Sequence, residues 1–145
     1  MLHAHIDISK GLDGEAVVLA CFDLGDNELR ASAHAVAAAA GERYRTATMS
    51  SDDVLALREL TALTDELRDL ALRPGMRTVV LRPARVTAYR DAVAYFVESR
   101  DHAEWIREED REPLALARGL MDPLEDLCAD ALRAALTGSL EHRSC

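Results

Sequence analysis

Residues 2–24, LHAHIDISKGLDGEAVVLACFDL, decide how the chain begins to fold. From Leu2 to Ile8 the letters alternate. Leu2, Ala4, Ile6 and Ile8 fall on one side and His3, His5 and Asp7 on the other, the period of a half-buried strand. The segment EAVVLACFDL that follows is apolar at both alternating sets, which suits a central strand. Between them SKGLDG is polar and supplies Gly11 and Gly14 for a reversal, so the stretch reads as a β-hairpin.

Working outward, Asp26 or Asn27 can cap a helix through ELRASAHAVAAAA, with Gly41 placed as its stop. This helix is rich in alanine and so can lie close to its neighbours. The segment RYRTATMS alternates again and reads as a third strand. Ser50-x-x-Asp53 opens a helix over 51–72, with Leu57, Leu60, Leu63, Leu67 and Leu70 as its apolar stripe and Pro74-Gly75 as its end. MRTVVL is a fourth strand, and Pro83 suits the first turn of a helix expected to run from 83 to about 109.

Such a helix would be about 40 Å long, comparable with the roughly 38 Å diameter of a globule of this length. Its tip would carry Trp105 and Ile106, an apolar pair that needs cover. A helix from Glu112-Pro113 follows. Asp122-Pro123-x-Glu125 then has the letters of a fresh helix start, and Gly138 those of a stop. These readings give one α+β domain over 1–145. A small, mostly antiparallel sheet of about four strands carries helices on one face, followed by a C-terminal helical hairpin or bundle. Residues 1–82 mix strands and helices, 83–138 are helical and 139–145 form a tail.

The composition supports this class. With 145 residues, 49% apolar and 30% charged, the chain can bury a core without disulfides or a structural metal. Disorder and membrane-spanning segments are excluded by the abundance and the spacing of the apolar residues. Of 17 basic residues only Lys10 is lysine, the signature of a GC-rich, bacterial coding sequence. The formal net charge of −9 argues against nucleic-acid and anionic-membrane partners, which require a basic surface. No secretory leader is legible at MLHAHIDISKG, and Cys21, Cys128 and Cys145 are odd in number with no CxxC, so reduced thiols in the cytoplasm are expected.

Three constellations bear on chemistry. His3-x-His5-x-Asp7 projects two imidazoles and a carboxylate from one strand face, which suits a divalent metal in a hydrolase; the plain alternative is a solvated edge strand. Glu108-Glu109-x-x-Glu112 has the EExxE spacing of all-helical nucleotide pyrophosphohydrolases, but the matching ExxD is missing and Pro113 interrupts the segment. His34 and Cys21 read as core residues. The third constellation is a charge pattern: Arg73, Arg77, Arg82, Arg85 and Arg90 precede any acid in the second half of the chain. Arg77, Arg82 and Arg85 around the start of the 83–109 helix would receive an anion, unless they pair with acidic helices of the same chain.

No complete catalytic set is legible and no cofactor is implied. The expectation is therefore a non-enzymatic interaction or regulatory module, a cytoplasmic homodimer with Tyr95, Trp105 and Ile106 in its interface, or one acting on a basic protein partner. A small-molecule or anion-binding protein using 73–90 is the alternative, and a metal-dependent hydrolase at His3, His5 and Asp7 a further one.

Overall fold

A computed structural model describes residues 3–46, 50–73, 75 and 77–143, with the side chains of His3, Thr46, Arg77 and 138–143 outside the description. It is an α+β fold: β1 (His3–Lys10), β2 (Ala16–Leu24), α1 (Asp26–Thr46), α2 (Ser51–Ala71), β3 (Arg77–Leu81), α3 (Pro83–Asp101) and α4 (Glu108–Arg143). The sheet is antiparallel in the order β1-β2-β3. The hairpin forms where the alternation places it. Gly14, at φ 81°, takes the left-handed conformation the reversal needs, and its N–H donates to the Gly11 carbonyl at 3.0 Å.

Alternation also settles the faces. Ala20, Phe22 and Leu24 of β2 and Val79 and Leu81 of β3 enter the core with the helices, and Ile6 of β1 packs against them. The opposite face holds His5, Asp7, Val17, Leu19, Cys21, Thr78 and Val80, none of them in that core. The helices lie on that one side, α4 across β1 and β2, α1 and α3 on β2, and α2 behind them against α1 and α3. At their junction the Tyr89 hydroxyl and Ser32 share a buried hydrogen bond, which satisfies both in an apolar surround.

Several boundaries differ from the sequence reading. Gly25 rather than Asp26 or Asn27 starts α1: its N–H donates to Glu28 at 3.2 Å and its carbonyl receives the Leu29 N–H. Gly41 does not stop that helix, which runs on through 43–46, so RYRTATMS is no strand over those residues and the sheet has three strands; 47–49 lie outside the described residues. The Ser50 cap holds, its hydroxyl accepting from the Asp53 N–H at 3.3 Å. The helix from Pro83 ends at Asp101, not near 109, and 102–107 form a link. Beyond it α4 is one helix of 36 residues, about 54 Å, in place of two, and it absorbs both Pro113 and Pro123. No helix among the described residues is long and apolar enough to cross a membrane.

Candidate functional site

The chemistry of the fold collects where α1, the end of α3 and the start of α4 meet. On α1, Ala37, Ala38 and Gly41 present almost no side-chain volume, and a Cβ built on Gly41 meets nothing within 4 Å. The small residues leave a cavity of about 730 Å³, within the usual size of ligand pockets. Its other walls are Ser99 and Arg100 of α3, the 103–107 link, and Glu109 and Asp110 of α4.

Helix ends set the charges here. Arg100 stands in the last turn of α3 and Asp110 in the first turn of α4, where a cation and an anion respectively match the helix dipole. Asp110 is only 5% exposed. Its Oδ1 accepts from His34 Nε2 at 2.6 Å and its Oδ2 from Arg100 Nε at 3.3 Å. Arg100 Nη1 donates to Glu42 Oε1 at 3.0 Å and to Ser99 Oγ at 2.7 Å. Beneath this chain Phe96 serves as a platform: the Arg100 guanidinium lies 4.5 Å over its ring and His34 meets it edge-on.

Burial penalises the Asp110 carboxylate, but the His34 hydrogen bond and the Arg100 guanidinium outweigh it and hold its carboxyl below the usual aspartate range. An ionised Asp110 fixes the hydrogen of His34 on Nε2, so in the neutral ring Nδ1 is the acceptor nitrogen. At the mouth Arg45 makes no ion pair among the described residues, Arg107 is paired with Glu109 only at 3.6 Å in the open, and Trp105 is 71% exposed. A guanidinium with no ion pair among the described residues and an uncovered indole can hold a small acid with a flat apolar part, and His34 Nδ1 can accept from a hydroxyl or N–H on it. Acyl transfer has less support, because the wall hydroxyl, Ser99, gives its hydrogen to the Phe96 carbonyl at 3.0 Å and not to a base.

The residues singled out from the sequence are dispersed. Arg85 donates to Glu59 at 3.0 Å and to Glu66 at 3.5 Å, so α2 takes up its charge; Arg82 is exposed at the start of α3 without a capping bond, and the Arg77 side chain lies outside the described residues. His5 and Asp7 are exposed on the uncovered sheet face and the His3 side chain is outside the described residues. Among the described residues no group of three His, Cys, Asp or Glu could hold a metal. Cys21 lies on the same face, its thiol pushed up by burial and by Asp7. Trp105 sits in the link and not on a helix tip, Ile106 packs against the core, and Tyr95 hydrogen-bonds Glu42.

Asp110 and its link to His34 escaped the sequence reading. The two are 76 residues apart, and no periodicity pairs them. The one available signal was an opposite-charge pair at successive helix ends, Arg100 and Asp110. No family model, curated protein or solved structure matches this chain.

Proposed function

We propose that the chain is a non-enzymatic interaction or regulatory module that works as a homodimer. The observation that carries this reading is a sheet left open on two counts: the edge strand β1 has no strand partner beyond β2 among the described residues, and Val17, Leu19 and Val80 keep apolar surface open to water on the side away from the helices. Burying such a face against a partner recovers about 25 cal/mol for each Å² removed from water. Trp105 adds exposed apolar surface at the α3–α4 link, and the acidic balance of the chain suits a basic protein as a further partner. The free, buried thiols of Cys21 and Cys128 suit a reducing compartment such as the cytoplasm. Size exclusion with light scattering should give twice the 15.9 kDa chain mass. A strict monomer at every soluble concentration removes the homodimer.

A second reading, small-molecule binding in the α1–α3–α4 cavity, is favoured by the buried Asp110 that orients His34 beside it. The ligand class is a small carboxylic or phosphoric acid with a flat apolar part for Trp105 and a hydroxyl or N–H for the acceptor nitrogen of His34. A thermal-shift screen against such acids checks it, since a ligand at 100 times its Kd stabilises by about 2.7 kcal/mol. Gly41→Leu fills the cavity from a helical position with room for a side chain, so it should leave the fold intact and abolish the shift. No shift with any acid of the series disposes of the reading.

A further inference from the structure

The free edge of β1 differs from ordinary sheet edges. Natural edge strands are short, or broken by proline, bulges or inward charges, to prevent pairing with another chain. At the other edge, β3 has five residues and runs into Arg82-Pro83. β1 has eight residues, no proline, and an unbroken register with β2 from His3 opposite Asp23 to Lys10 opposite Ala16, and its one inward charge, Lys10, stands at its very end. Its even-numbered side is left incompletely covered: Ala4 is exposed, Ile6 half-buried and Ile8 49% exposed.

We propose that β1 is the dimer interface, pairing antiparallel with β1 of a second copy about a dyad at Ile6, so that two three-stranded sheets become one of six strands. The proposal rests on the homodimer reading and places its contact at the sheet edge, which leaves Val17, Leu19 and Val80 of the outer face for a further partner. A two-fold axis relating adjacent antiparallel strands is normal to the sheet, so it sets odd positions opposite odd and even opposite even. That leaves three central registers. With Asp7 on the axis, two carboxylates face each other; with His5 on the axis, two imidazoles do, and the paired segment shortens. With Ile6 on the axis, His5 faces the partner's Asp7 and Asp7 the partner's His5, giving two imidazole–carboxylate pairs on the outer face and setting no two carboxylates opposite each other. On the helix-covered face Ile6 meets the partner's Ile6 and Ala4 the partner's Ile8, which covers the exposed isoleucine.

The other charges near this edge are accounted for. Asp126 and Asp130 of α4 line a groove with Ala4, His5 and Ile6, and the partner's Lys10, an even position, arrives on that helix-covered face beyond Ala4. On the outer face, Asp23 of β2 is the nearest further acid to His5, diagonal to it across Cys21, and it already accepts from Thr78 at 2.7 Å.

Cysteine cross-linking tests the register, because only the residue on the dyad meets its own copy. Opposed Cα atoms in an antiparallel pair lie about 4.5 or 5.5 Å apart, inside the range a disulfide spans. Three variants, His5→Cys, Ile6→Cys and Asp7→Cys, are made in a Cys21→Ser, Cys145→Ser chain, because Cys21 lies opposite position 5 on β2, and oxidised mildly, with circular dichroism to establish that each is folded. The expected result is a covalent dimer from Ile6→Cys, with far less from its two neighbours. In parallel, His5→Asp should lose the light-scattering dimer by facing two carboxylates, and adding Asp7→His should restore it. Cross-linking that favours position 5 or 7 overturns the register. A wild-type dimer that neither cross-links at 6 nor responds to His5→Asp overturns the β1 interface and leaves the homodimer standing. A wild-type monomer overturns both.

Discussion

At Asp110, burial and ion pairing pull in opposite directions, and the sign of the outcome has a measurable consequence. Alone, a carboxylate this buried would be pushed toward its neutral form; with His34 and Arg100 beside it, its carboxyl is held below the ordinary value of 3.8. Stability from a lowered acid is present above that ordinary value and lost as pH falls through the folded one. Asp110→Asn should therefore cost about 3 kcal/mol at neutral pH, the usual loss on breaking a buried pair. In urea titrations the gap between wild type and variant should close as the pH falls below 3.8. A gap that stays constant into strong acid would mean that the carboxylate charge carries no stability. This residue was illegible from sequence because its meaning lies in His34, and what joins them is packing across α1 and α4.

At the scale of elements, α4 shows local letters losing to burial. Asp122-Pro123-x-Glu125 is a good helix start, yet α4 passes through it. A proline inside a helix costs about 3 kcal/mol through a lost hydrogen bond and a clash with the preceding turn. Against this, Leu120, Leu124, Leu127 and Ala131 are buried along one side, and each buried leucine contributes about 1.5–3 kcal/mol only if the row stays straight across position 123. Pro123→Ala should then raise stability by about 1–3 kcal/mol and Tm by several degrees in a thermal melt. A lower Tm would show that the helix depends on the proline at this turn. Conversely, α1 passes Gly41, which does not take the left-handed φ of a glycine stop; among the described glycines Gly14 and Gly75 alone have a positive φ. Leu60, Leu63 and Leu67 of α2 and the Pro83 start of α3 were readable because cap and stripe agreed with the packing.

For the whole molecule, the decisive asymmetry is that helices cover one side of a three-stranded sheet and leave the other side and one long edge open. A sheet of this width with one covered face gains by extension, and the proposed pairing of β1 with a second copy would double its strands. The light-scattering mass tests this at the scale where it belongs, since no single residue reports the state of the assembly. The overlong third helix that first suggested an interface does not exist as such: it is α3 and a link, and Trp105 in that link stands beside the cavity.

The sequence by itself determined the hairpin, its faces, the helical stripes and the α+β class, because each follows from a period of two or 3.6 within one segment. Tertiary structure alone decided that α1 runs past Gly41, that α3 stops at Asp101 and α4 does not stop at Pro123, and that His34, Arg100 and Asp110 meet. Those outcomes depend on which surfaces are buried against which, a property of segments far apart in the chain that no local pattern records.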